Sequence, residues 1–221
     1  MSRKRPSADV DFKGDFGWVK RAITRTQVIG IFDLVGFSNV DSNKDLVSAV
    51  RAMETGIELA LGDEYYWAER ERSADALESP LNEILLRSTG DGYVVAFSEQ
   101  DKDLDALEML VEMYKQINKN HKVNLGINKG DNYVLMDINN FVNIIGWGIN
   151  YAARALQFAK NGQIICTEFI AKPILKTHGD KVSNKEMVSL GRHTVKEAQM
   201  ELFNYYKKQD FGVPPGKGQS K

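Results

Sequence analysis

Ile31-Phe32-Asp33-Leu34-Val35-Gly36-Phe37-Ser38 carries a single aspartate, Asp33, to the point where an apolar run gives way to a glycine-containing turn. Val28, Ile29, Ile31 and Phe32 read as a buried strand, and Asp45 to Leu61 reads as a helix. The turn is therefore a strand-to-helix junction that offers free backbone N–H groups. Such a junction can hold phosphate. A carboxylate beside it can hold the accompanying cation, since Mg2+ is usually bound by one or two carboxylates plus substrate phosphates. A solvated aspartate at a strand end explains the same stretch equally well, so a second carboxylate has to decide.

Downstream, Leu46, Val50, Met53, Ile57 and Leu61 recur at spacings of three and four, which predicts an amphipathic helix ending near Gly62-Asp63. Glu64–Pro80 is rich in charge and holds Tyr65, Tyr66 and Trp67; it reads as helix continuation, then loop. Glu83–Leu86 and Tyr93–Phe97 flank Arg87-Ser88-Thr89-Gly90-Asp91-Gly92 and predict a hairpin with Asp91 at its tip. Asp-Gly is an ordinary turn pair that needs no ligand. If this hairpin neighbours the strand ending at Asp33, the two carboxylates converge on one sheet edge. They can then hold two divalent cations roughly 3.5–4 Å apart, the arrangement used for in-line displacement at phosphorus.

Leu104, Leu107, Val111, Tyr114 and Ile117 predict a second helix. Val123–Ile127 and Tyr133–Met136, separated by Asn128-Lys129-Gly130-Asp131, predict a second hairpin, and Asn139–Ile145 a loop. Ile149–Ala159 predicts a third helix on which Asn150 and Arg154, four apart, share a face. An arginine so placed can stabilise charge on a transferring phosphoryl group and an asparagine amide can orient a ribose; a surface pair accounts for them equally well. Gln163–Cys166 reads as a strand, Glu168–His178 as a helix that Pro173 interrupts, and Met187–Leu190 and Glu201–Tyr206 as strands. The expectation is an α+β fold, a mostly antiparallel sheet with helices packed on one face. A flexible arm (1–26) precedes the domain (27–207), and a disordered Pro/Gly/Lys tail (208–221) follows.

Of 221 residues, 43% are hydrophobic, enough to bury a core as one domain. Lys+Arg 29 against Asp+Glu 30 gives a net charge of −1, which argues against coating nucleic acid or an anionic membrane. The lone Cys166 excludes a disulfide framework, and no apolar run is long enough to span a membrane, so a cytoplasmic location is expected. His121, His178 and His193 are scattered, without triad or ligand spacing. Neither G-x-x-x-x-G-K-[ST] nor G-x-G-x-x-G after a strand is present.

Taken together, these stretches resemble the class III nucleotidyl cyclase catalytic domain. Ile31–Ser38 is similar to its first metal motif, Arg87–Phe97 to its second, Asn143–Ala159 to its Asn-to-Arg transition-state helix, and Gly162–Glu168 to its G-Q-I strand. Leu190–Lys196 is similar to its late L-G-x-x-x-V-K segment. The resemblance spans about Gln27 to Tyr206. It implies a ferredoxin-like α+β core and a head-to-tail homodimer with two interfacial sites. Asp33, Asp91 and the backbone of Leu34 on one subunit would hold two Mg2+ or Mn2+ ions, and Asn150 and Arg154 would come from the other. Lys196 would contact the terminal phosphates, and the amides of Leu34–Phe37, Phe37 included, would bind the triphosphate.

The resemblance departs at the base-selecting pair, where Arg87 and Asn143 replace the family's Lys with Asp or Thr, or Glu with Cys. Arg87 has only donors, suited to pyrimidine carbonyl acceptors, and its bulk shortens a pocket against a purine. Asn143 both donates and accepts, so it can meet uracil N3–H and O4. In this respect the chain resembles the pyrimidine cyclases of Pycsar anti-phage defence, in which a cyclic pyrimidine nucleotide activates a separate effector. The expected substrate is UTP, with CTP as the alternative, then ATP or GTP. From another class, a catalytically silent cyclase-like binding module remains open, with no nucleic acid or direct membrane partner in any case.

Overall fold

The computed structural model describes residues 22–37, 42–62, 84–98, 103–136, 142–195 and 198–216. β1 (Ala22–Leu34) is followed by α1 (Asn43–Leu61), β2 (Ile84–Ser88), β3 (Gly92–Phe97), α2 (Asp103–Asn118) and β4 (Val123–Met136). Then come β5 (Val142–Gly146), α3 (Trp147–Phe158), β6 (Ile164–Thr167), α4 (Glu168–Thr177), β7 (Met187–Val195) and β8 (Ala198–Tyr205). The strands form one sheet in the order β2-β3-β1-β4-β6-β8-β7, with β5 attached to β4. Only the β4–β6 pairing is parallel among those described.

Alternation along β1 builds a core on each face of the sheet. Val28, Phe32 and Leu34 pack with Met53 and Ile57 of α1 and with Leu107 and Leu110 of α2. Ile29 and Ile31 point the other way, to Val94, Ala96, Val134 and Ala152 of α3. α4 joins α1 and α2 through Ile170, Ala171 and Ile174. The expectation of helices on one face is thus corrected: α3 alone among the described helices covers the opposite face. α1 starts at Asn43, two residues before the expected Asp45, with the Ser42 hydroxyl oxygen accepting the Asp45 N–H at 3.1 Å.

The second predicted hairpin does not form. β1 pairs with β4 without a break from Ala22 opposite Leu135 to Leu34 opposite Val123, so each residue of Asn128-Lys129-Gly130-Asp131 faces a residue of β1. Backbone pairing over that length overrides the local turn chemistry. Residues 142–146, expected in a loop, pair with 132–136 as β5. Residues 22–26 belong to β1 and not to an arm. Part of the expected tail is also fixed: Lys207 bridges to Phe211, Phe211 stacks on Tyr205 at 4.9 Å, and Asn204 Nδ2 donates to Val213 O at 2.9 Å. Pro173 lies within α4 without ending it. The Tyr65–Trp67 cluster falls outside the described residues, and no helix among those described is long and apolar enough to cross a membrane.

α3 lies close on the sheet because β4 has glycine beneath it. A Cβ on Gly126 would stand 2.5 Å from both Ala152 O and Leu156 N, backbone atoms that cannot swing aside. Gly126→Ala should therefore lift α3 and cost about 1–3 kcal/mol, as overpacking does. A lower urea midpoint at an unchanged slope checks this.

Candidate active site

Asp33 stands at the end of β1, opposite Gly92 of β3 and Asn124 of β4. The hairpin brings Asp91 beside it, and the Leu34 N–H donates to Asp91 O at 3.1 Å, tying the tip to the residue after Asp33. Burial, and then the charge of Asp91, raise the Asp33 pKa above the usual carboxylate value, and no cation contributes to that shift. Neither carboxylate has a salt-bridge partner among the described residues, where no cluster of three or more His, Cys, Asp or Glu exists. Two like charges held together, one partly buried, are a pair whose repulsion a divalent cation can relieve. The residues present fit such a cation.

The turn after Asp33 is less open to phosphate than the sequence suggests. Leu34 N–H is taken by Asp91 O and Val35 N–H by Lys122 O at 2.9 Å. Within the expected Leu34–Phe37 cradle, the Gly36 and Phe37 amides are the ones not taken by a backbone acceptor among the described residues. The Phe37 side chain packs against the core, which fixes its backbone in place.

Asn150 and Arg154 share one face of α3, as their spacing predicts. Gly148, Ala152 and Ala155 turn toward the sheet, whereas Asn150 is exposed. Arg154 is half-buried, its guanidinium carbon 5.2 Å from the Tyr151 ring centroid, and its Nη1 is buried with no hydrogen-bond partner among the described residues. A buried guanidinium donor without an acceptor is a demand for an anion. That face points off the sheet, and among the described residues no hydrogen bond or ion pair joins Asn150 or Arg154 to Asp33 or Asp91.

Arg87 is half-buried on β2 opposite Val94, and Asn143 lies on β5 opposite Leu135, its Oδ1 accepting the Ile144 N–H at 2.9 Å. β2 and β5 approach each other at Leu85 and Val142, which line one small pocket. Lys196 lies outside the described residues. Sequence reasoning missed the buried amides of Gln27, Asn128 and Asn132 beneath the start of α3. It also missed a cleft of about 480 Å3 where β4 is left uncovered between β6 and β5, walled by Trp147, Tyr151 and Phe169. The only signal was polar residues inside an otherwise apolar strand.

The sequence matches no family model and no curated protein. Solved structures match the fold. The catalytic core of a rhodopsin-guanylyl cyclase with converted specificity, in complex with ATPαS, superposes with a TM-score of 0.63 at 17% identity, covering 85% of this chain and 98% of that one. The guanylate cyclase domain of RhGC from Catenaria anguillulae, in complex with GTP, gives 0.62 at 16% identity over 84% and 98%. The adenylyl cyclase CyaB from P. aeruginosa gives 0.59 at 16% identity over 87% and 100%. The fold is that of the class III cyclase catalytic domain. At these identities the likeness is one of architecture.

Because the Asp33 pKa is raised, its charge is carried at a cost in the folded protein. That cost is present above the folded pKa and fades as pH falls through it toward the unfolded value. Asp33→Asn should therefore raise the melting temperature of the metal-free protein at pH 7, and the gain should shrink as the pH is lowered toward the carboxylate range. Mn2+ should raise the melting temperature of the parent and not of the variant. Thermal melts at two pH values, with and without Mn2+, check both.

Proposed function

We propose that the chain is a nucleotidyl cyclase that works as a head-to-tail homodimer, each of two sites drawing Asp33 and Asp91 from one copy and Asn150 and Arg154 from the other. The observation that carries this is the mismatch within one chain: among the described residues, a carboxylate pair with no basic side chain against it and an arginine donor with no protein acceptor. A metal–triphosphate complex between two copies satisfies both. The class III cyclase fold supports the same reading.

Asp33 and Asp91, with the backbone of Leu34, would hold two Mg2+ or Mn2+ ions, which supply charge neutralisation at the phosphates and a lowered pKa for a coordinated hydroxyl. The Gly36 and Phe37 amides would face the triphosphate, and Lys196, by the family resemblance, would contact its terminal phosphates. Asn150 orients the ribose so that its 3′-oxygen lies in line with the α-phosphorus. That oxygen forms the new bond to phosphorus as the bond to the bridging β-phosphate oxygen breaks. Pyrophosphate leaves, the hydroxyl proton passes to solvent, and Arg154 neutralises charge on the α-phosphoryl oxygens.

For the base, the donor-only Arg87 and the donor-and-acceptor Asn143, at the positions that resemble the family's base-selecting pair, favour a pyrimidine, and UTP over CTP because uracil offers acceptor, donor and acceptor along one edge. The product would be 3′,5′-cyclic UMP, a second messenger for a separate effector in anti-phage defence. The protein incubated with Mn2+ and each of ATP, GTP, CTP and UTP should yield cyclic UMP by mass spectrometry. Cyclic CMP alone would keep the pyrimidine reading and change the base, and a purine product would refute the role given to Arg87 and Asn143.

Asp91→Ala should abolish turnover, and Arg154→Ala should lower kcat by about 10²–10³-fold. Mixing the two inactive variants should restore about one quarter of the parental rate, because half of the dimers are then mixed and each of those holds one intact site of two. No recovery would refute the shared site.

A further inference from the structure

α3 carries Asn150 and Arg154 yet has no side-chain cap from its own N-cap residue, which is Gly146. The Ile149 N–H in its first turn is taken instead by Asn132 Oδ1 on β4, at 2.9 Å. Asn132 is 1% exposed and donates Nδ2 to Gln27 Oε1 at 3.1 Å. Gln27, 2% exposed, donates Nε2 to Ser98 Oγ at 3.0 Å. Gln27 lies on β1, the strand that ends in Asp33 and Leu34. Gly148 has no room for a side chain because the Asn132 carboxamide occupies it: a Cβ there would lie 2.5 Å from Nδ2 and 2.7 Å from Oδ1.

We infer that Asn132, oriented by Gln27, is a positioning residue for Asn150 and Arg154. This rests on the cyclase reading proposed above. The buried amide chain pins the first turn of α3 to the strand that carries Asp33. The side chains that one copy presents to its partner are thereby registered against the aspartates it presents in return. A helix freed at this end can pivot on Ala152 and Ala155, and a displacement of about 1 Å at a catalytic group can cost about 10²-fold in rate.

The direction of each hydrogen bond makes the inference specific. Asn132→Asp keeps an acceptor for the Ile149 N–H; Gln27 can then turn its amide over, Nε2 donating to the new carboxylate while Oε1 accepts from the Ser98 hydroxyl. Asn132→Leu is similar in volume but takes away the acceptor of the Ile149 N–H and the donor to Gln27 Oε1. Gln27→Leu keeps the cap and removes only its orientation.

The test reads hydrogen exchange across residues 147–150 in the full chain, together with kcat and KM for the nucleoside triphosphate that the parent turns over with Mn2+. Asn132→Leu should speed that exchange about tenfold or more and lower kcat about 10–100-fold, with KM changed less than about threefold. Asn132→Asp should stay close to the parent in both. Gln27→Leu should move both in the direction of Asn132→Leu, and it carries the test if Asn132→Leu does not fold. Faster exchange with an unchanged kcat would reduce Asn132 to a structural cap and overturn the inference, as would unchanged exchange. A parent inactive on all four nucleotides would refute the cyclase reading instead, while the exchange measurement would still judge the tie.

Discussion

The uninterrupted pairing of β1 with β4 governs the molecule. It runs from Ala22 opposite Leu135 to Leu34 opposite Val123 and puts Asp33 at the end of the sheet. The free edge of β4 is then shared by two strands, β6 in parallel along Leu125–Ile127 and β5 antiparallel along residues 132–136. β6 leads into α4 on the face of α1 and α2, whereas β5 leads into α3 on the other. Because the two strands leave β4 uncovered between them, the cleft beside Trp147 and Phe169 follows from the same pairing. Gly126 lets α3 settle within van der Waals distance of the β4 backbone, so the helix with the unpartnered arginine is fixed by the strand next to the one with the aspartate.

Electrostatically, the chain is unfinished at two places rather than one. Asp33 and Asp91 repel one another at the sheet end, and Arg154 holds a buried donor with no acceptor on the outer side of α3. A stability-optimised domain would pair such groups or leave them in water. Keeping them apart within one chain costs stability, and on the proposed reading it leaves a surface that metal, anion and a second copy would satisfy together.

Much of this was legible locally. The Gly-Asp-Gly tip, the apolar face of α1 ending near Gly62 and the Asn150/Arg154 spacing on α3 depend on neighbours a few residues away, and each is found where the sequence puts it. Asn128-Lys129-Gly130-Asp131 has the composition of a turn and is a strand, because its backbone groups find β1 and its small and amide residues are needed under α3. The phosphate cradle was overcounted for a similar reason. Leu34 and Val35 offer N–H groups in the sequence, but Asp91 O and Lys122 O, remote along the chain, have already taken them.

The sequence by itself determined the α+β class, the hairpin bearing Asp91, the helix bearing Asn150 and Arg154, and the residue types that the proposed metal–phosphate ligand would use, because periodicity, turn residues and side-chain functional groups are local properties. Only the tertiary structure decided that β4 is continuous, that α3 lies opposite the other described helices, that Asp33 feels Asp91, and that Asn132 caps α3 while turned toward Gln27. Those depend on which strand pairs with which and on which buried polar group finds a partner, and both are settled by contacts between residues about a hundred positions apart, such as Gln27 with Asn132.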